Sequence, residues 1–126
     1  DAGGRPNPIL VPMVAAGLRI VAKYDLEEVQ SALMAITSSV VNGAAELGFV
    51  TTPGPRSGHI VGLRPGSREL REKLTPQRMI EMGKRLKEKG VFVAVRSGAF
   101  RISPYLGTTD KEVDLLLDAL RELLCA

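Results

Sequence analysis

The chain has 126 residues, enough for one ordinary domain, and its 44% apolar and 25% charged content is that of a globular protein rather than a disordered one. The formal net charge is +3, with three basic against five acidic side chains in residues 1–50 and fourteen against nine in residues 51–126. In the basic half, Arg68, Arg71, Lys73, Arg78, Lys84, Arg85, Lys87 and Lys89 alternate with Glu69, Glu72, Glu81 and Glu88. That is a solvated helix face rather than a phosphate-binding stripe, and with 4% aromatics and no Trp there is no stacking platform for bases, so nucleic acid is not an expected partner.

Residues 1–7 read as a loop, because two glycines and a proline leave little else possible. A helix is expected over about 10–23, with Pro12 near its start, where a missing backbone donor is tolerated. The small residues Ala15, Ala16 and Gly17 would let another element approach closely. This apolar stretch is broken by Arg19 and Lys23 and is shorter than the roughly 20 residues a membrane span needs. It lacks the basic start and cleavage site of a signal peptide, so no membrane role is expected. The start at Asp1 without Met points to processing or to a boundary within a longer chain.

Asp25 and Glu28 form a capping-box-like pattern for a long helix with Leu26, Val29, Leu33, Ile36, Val40, Val41, Ala44 and Leu47 on one stripe and Gly48 past its end. Its length suits a helix that crosses a sheet or lies along another subunit. Residues 51–58 are a connecting loop, and His59–Arg64 is a short strand stopped by Pro65-Gly66. Ser67 is expected to cap a short helix ending near Leu74. Thr75, with Pro76 at the first position, caps another that carries Met79, Met82 and Leu86 on one side and ends at Gly90.

Val91–Arg96 reads as a strand by composition, Ser97-Gly98 as a tight turn, and Ala99–Ser103 as the partner strand of a hairpin. Thr109 and Glu112 form a second capping box, before a last helix expected to bury Val113, Leu116, Leu117, Leu120 and Leu124. The whole predicts an α+β (α/β) sandwich: a small, mainly antiparallel sheet packed with helices. Residues 1–126 read as one unit, with a loop and long linking helices over 1–50 and a small α/β domain over 51–126.

No self-contained catalytic constellation is present. One histidine excludes a two-His metal site, so no metal is expected. Cys125 is the single cysteine; its apolar helical context suggests a packed thiol, and the absence of a disulfide framework fits the reducing cytoplasm. His59 is best explained structurally, at the start of a strand.

Arg101 is the most informative residue. In strict alternation Phe100 and Ile102 point one way and Arg101 and Ser103 the other, so the guanidinium stands opposite the apolar pair near the strand's end. Such a group can grip a carboxylate with two parallel hydrogen bonds. The pattern alone favours a solvated arginine or a surface ion pair.

The run Arg96-Ser97-Gly98-Ala99-Phe100-Arg101-Ile102-Ser103-Pro104-Tyr105-Leu106, followed by Thr109-Asp110-Lys111-Glu112-Val113-Asp114, resembles the C-terminal signature of the class V aminotransferase family. That family includes cysteine desulfurases, selenocysteine lyases, kynureninases and isopenicillin-N-epimerase-like proteins. Gly58–Leu63 resembles the first strand of the family's small domain, and Gly90–Arg96 its following helix-to-strand passage. Asp1–Gly48 resembles the loop and long helices that lead into it.

The resemblance implies the small domain of a fold-type I enzyme dependent on pyridoxal 5′-phosphate (PLP), a cofactor that serves as an electron sink while the protein orients the substrate. It assigns to Arg101 the grip on the α-carboxylate of a small amino-acid substrate. Arg96 matches a recurrent family position, with structural pairing as its other explanation. The Schiff-base lysine, the aspartate facing the pyridinium nitrogen and the ring-stacking residue would belong to a large PLP-binding domain upstream of residue 1. None of Lys23, Lys73, Lys84, Lys87, Lys89 and Lys111 matches the family's lysine motif, so the isolated chain is expected to be inactive and not to hold PLP alone.

Two departures stand out. Leu106-Gly107-Thr108 replaces an aromatic-Asn pair before the last cap. Gly4 takes the threonine-like place in a turn that reaches the cofactor phosphate across a dimer interface, where Arg5 or backbone donors would have to substitute. A homodimer and a cytoplasmic location follow from the same resemblance. The alternative is a free-standing small domain that binds or assembles without catalysis, its apolar 9–22 segment covered by a partner.

Overall fold

The computed structural model describes residues 7–125. Helix α1 (Leu10–Val21) starts where the Asn7 side chain accepts hydrogen bonds from the backbone N–H groups of Ile9 (2.9 Å) and Leu10 (3.2 Å). Asn7 thus works as a cap that the sequence reading left in the loop. No residue of α1 is buried; Leu10, Val11, Met13, Val14, Leu18, Ile20 and Val21 are all exposed.

Helix α2 (Leu26–Glu46) is capped by Asp25, whose carboxylate accepts from the Glu27 and Glu28 N–H groups at 2.8 and 3.2 Å. Glu27 and Glu28 place negative charge in the first turn, where the helix dipole favours it. The predicted stripe is displaced toward the C-terminal half: Leu33, Thr37, Val40 and Ala44 are buried, while Leu26 is exposed. Thr37 replaces an apolar residue in that stripe without leaving a polar group unmet, because its hydroxyl donates to the Leu33 carbonyl at 3.1 Å.

The remaining elements are β1 (Phe49–Val50), β2 (Val61–Pro65), α3 (Arg68–Lys73), α4 (Pro76–Glu88), β3 (Ala94–Arg96), β4 (Ala99–Ile102) and α5 (Asp110–Cys125). Ser67 and Thr75 cap α3 and α4 as expected, through the Leu70 N–H (3.0 Å) and the Arg78 N–H (3.2 Å). The sheet has four strands in the order β1-β2-β4-β3, and every neighbouring pair is antiparallel. The predicted α+β architecture is the one observed.

Three details differ from the sequence reading. β1 was not anticipated; it is two residues long, too short to show a period, and it is fixed by Phe49 packing edge-on to Phe100 at 6.0 Å between ring centroids. The strand expected over 91–96 pairs only over Ala94–Arg96, with Ala94 directly opposite Arg101. Cys125 is exposed rather than packed.

All the helices that supply the core lie against one face of the sheet. Val61, Leu63, Phe100 and Ile102 point into a single cluster with Val40 and Ala44 of α2, Met79, Met82 and Leu86 of α4, and Val113, Leu116 and Leu120 of α5. In α5 the buried set is Val113, Leu116, Ala119, Leu120 and Leu123, with Leu117 and Leu124 only half-buried at its margin. The α5 cap is one-sided in an instructive way. The Glu112 carboxylate accepts both from the Thr109 N–H (2.8 Å) and from the Thr109 hydroxyl (3.0 Å), so the hydroxyl donates instead of receiving a backbone N–H.

Those bonds, the backbone N–H first and the hydroxyl second, hold the Glu112 carboxyl below its ordinary value of 4.5. A lowered folded-state value stabilises the fold above the unfolded-state pKa, and that contribution is lost as pH falls through the lower folded value. Glu112→Gln should therefore lower the melting temperature at neutral pH, and the gap to the parent should close on acidification below about pH 4.3, as thermal unfolding across pH will read.

Gly58 lies against α2, where an added Cβ would come within 2.8 Å of the Gln30 carbonyl oxygen. Gly58→Ala should cost about 1–3 kcal/mol in denaturant titration. Because α1 buries nothing, deleting residues 1–24 should change the stability of the remainder by no more than about 0.5 kcal/mol and should reduce self-association in sedimentation.

Candidate carboxylate-binding site

The hairpin that presents Arg101 is closed by two residues. Ser97 and Gly98 both have positive φ, 48° and 72°, the handedness that matches the twist of the flanking strands. Glycine takes this conformation without strain and serine at some cost. The tight closure sets Arg96 opposite Ala99, Val95 opposite Phe100 and Ala94 opposite Arg101. On the other side of β4, Gly62 lies opposite Arg101 and Leu63 opposite Phe100.

Laterally paired residues share a face of a sheet. Phe100 is fully buried, with Leu63 and Val95 beside it on the helix-covered side. Arg101 therefore stands on the opposite face, together with Gly62, Ala94, Ala99 and Arg96. Both arginines are exposed. An ideal Cβ at Gly62 would lie 3.8 Å from the Ala99 Cβ, which confirms that these two positions face the same way. The residues paired directly beside Arg101 are thus one glycine and one alanine, Gly62 and Ala94, with the buried Ala99 two positions back along β4 on the same face. The alternation read from the sequence placed Arg101 correctly; its small neighbours came from strand pairing and could not be read along the chain.

Ion pairs among the described residues are Arg68–Glu72, Lys89–Glu122 and Arg121–Asp118, and none involves Arg96 or Arg101. Among the described residues, the surface ion pair that the sequence left open as the role of Arg101 is not formed. The 103–108 segment follows directly. The Tyr105 N–H donates to the Thr108 hydroxyl (3.1 Å), the Thr108 N–H donates to the Tyr105 carbonyl (3.0 Å), and the Tyr105 ring lies over Gly107, where a Cβ would come within 2.6 Å of it. The departure at Leu106-Gly107-Thr108 is therefore a turn closed on an aromatic ring.

Other candidates fall outside this constellation. His59 is exposed and precedes β2; its Nδ1 contacts the Ser57 hydroxyl at 2.6 Å, a local loop contact. Gly4 and Arg5 lie outside the described residues. Among the described residues, no three His, Cys, Asp or Glu side chains gather as metal ligands do, and no helix is long and apolar enough to cross a membrane. A cavity of about 390 Å³ between α2, α5 and the 103–108 turn is lined by apolar groups such as Ile36, Val40, Phe92 and Leu115. Glu112 is its one charged wall, so it offers no cation to a carboxylate.

No family model and no curated protein matches the chain. Solved structures do. The chain is similar to the cysteine desulfurase CsdA from Escherichia coli, with a TM-score of 0.78 and 19% identity over 98% of this chain and 32% of that one. A NifS-like protein follows at a TM-score of 0.67 and 23% identity, over 83% of this chain and 30% of its own. A transaminase with L-ala gives 0.62 and 18%, over 88% and 26%. The chain thus spans about a third or less of the length of each. At such identities the likeness establishes the fold alone, the α+β arrangement that the sequence resemblance implied.

Proposed function

We propose that these residues are the small-domain portion of a PLP-dependent, class V aminotransferase-like enzyme that acts on an amino acid by transamination, lyase or epimerase chemistry. Arg101 binds the substrate α-carboxylate. The observation that carries this reading is Arg101, exposed and without an ionic partner among the described residues, paired between Gly62 and Ala94 on the sheet face opposite the core cluster. A planar guanidinium fixed at its base by a paired strand orients a carboxylate through two parallel bonds, and so sets the direction of the rest of the substrate. Arg96, diagonal to it, adds positive charge at the rim. An exposed arginine gains little in open water; closure of the domain over the site would exclude solvent and strengthen the grip.

The lysines sit on helices or at their ends, Lys73 on the Leu124 carbonyl and Lys89 on Glu122, and none stands on the open sheet face. In this reading the lysine that carries PLP belongs to a large domain outside this chain, and the 126 residues alone do not catalyse. The bare apolar surface of α1 is where that domain, or the second subunit of a homodimer, would pack, and Gly4 and Arg5 would approach the cofactor phosphate from a partner. The cytoplasm is the expected compartment. The same bare helix also suits a free-standing module that covers it with a partner.

The mass of the protein as its host makes it separates the two: several times that of 126 residues supports the enzyme, and a mass equal to it leaves the module. In the complete enzyme, Arg101→Ala should weaken amino-acid binding about 10- to 100-fold with PLP uptake unchanged, the scale of a lost charge-assisted pair. Unaltered binding would remove Arg101 from the site.

A further inference from the structure

Arg64 has no motif around it and draws no attention along the chain, yet the sheet places it beside the proposed site. The pairing of β2 with β4 sets Gly62 opposite Arg101 and Leu63 opposite Phe100. One more step along that register brings Arg64 beside Ala99. Arg96 flanks Ala99 from the other strand. Ala99 thus lies between two arginines, and Arg101 stands two residues further along β4 on the same face. Arg101 is a diagonal neighbour of both Arg64 and Arg96, at about 7–8 Å between Cα atoms. Arg64 and Arg96 are two strand spacings apart, about 10 Å.

All three arginines are exposed, and none takes part in the ion pairs found among the described residues. Three unpaired cations on one face repel one another, and a bound anion relieves that repulsion. The three are not equivalent. Arg64 also lines a cavity of about 390 Å³ whose other walls include Val50, Leu74 and Met79. On that wall Arg71 is held in place by donating from Nε to the Ser67 carbonyl (3.2 Å) and from Nη2 to the Gly66 carbonyl (3.1 Å). The space beside Arg64 is therefore apolar in its walls and flanked by a second, positioned positive charge. Arg96 does not line it.

We propose that Arg64 binds a second acidic group of the substrate, so that the site takes an amino acid whose side chain ends in an anion. The α-carboxylate lies on Arg101, a short spacer runs between the two arginines, and the distal anion, carboxylate or phosphate, lies on Arg64 at the mouth of the cavity. This rests on the carboxylate-binding reading of Arg101, and it specifies the substrate class that reading leaves open.

The test is calorimetric titration of the protein, as its host makes it, with propionate, glutarate and 3-phosphonopropionate. One dianion, glutarate or the phosphonate, should bind about tenfold more tightly than propionate, the scale of one added charge-assisted contact. The tighter of the two identifies the distal group. Arg64→Gln should bring that dianion down to the propionate level and leave propionate itself unchanged. Arg64→Lys should restore part of the difference, since the charge survives without the paired donors. Equal affinities for mono- and dianions, equal weakening of both by Arg64→Gln, or no binding of any of the three would overturn the proposal. Arg101→Gln separates the two readings: if it leaves propionate binding intact while Arg64→Gln abolishes the dianion preference, the assignment of Arg101 fails and the Arg64 contact stands.

Discussion

The burial of Phe100 is the constraint on which the remaining structure depends. Its ring meets Phe49 edge-on, and it lies between Leu63 and Val95 in the covered face of the sheet. A strand has only two faces, so a residue anchored inward commits its neighbours outward. Moving the register by one would bury Arg101 and expose Phe100, which exchanges a satisfied core for a desolvated charge. The position of the candidate binding group is thus fixed by an apolar contact on the other side of the sheet. The helices serve the same constraint from the covered side, where Met79, Met82, Leu86 and Leu120 belong to the same buried cluster as Phe100.

This division of labour explains the asymmetry of the molecule. One sheet face is dense with methyl and methylene groups from α2, α4 and α5; the other carries small side chains and arginines. An antiparallel sheet tolerates one wet face. Three guanidinium groups on that face, none matched by a carboxylate among the described residues, contrast with residues 68–89, where basic and acidic side chains interleave. The contrast separates the solvated helix surfaces from the face where chemistry is expected.

Much of this was legible in the chain. Caps announced themselves through single residues: Asp25, Ser67 and Thr75 each bond the backbone that their position predicts. The hairpin was visible in Ser97-Gly98 and the outward direction of Arg101 in plain alternation. What was not legible depended on partners distant in sequence. The two residues of β1 acquire a strand only by pairing with Arg64 and Pro65. The role suggested for Arg64 exists only because β4 runs beside β2, a neighbour relation between residues more than thirty positions apart. Leu26 belongs to the periodic stripe but lies beyond the edge of what α2 packs against, so periodicity overstated the core.

The two-residue closure at Ser97-Gly98 bears on how such a domain can diversify. The turn is the end of the hairpin away from Ile102, and it adjoins Arg96 and Ala99. Lengthening a surface connection adds only a slowly growing entropic cost. Residues inserted there would leave the pairing of Val95 with Phe100 in place and would hang directly over the arginines. The turn is accordingly where a lineage could add a lid or a reactive side chain to this face in a single genetic step, while the fold beneath it went unchanged.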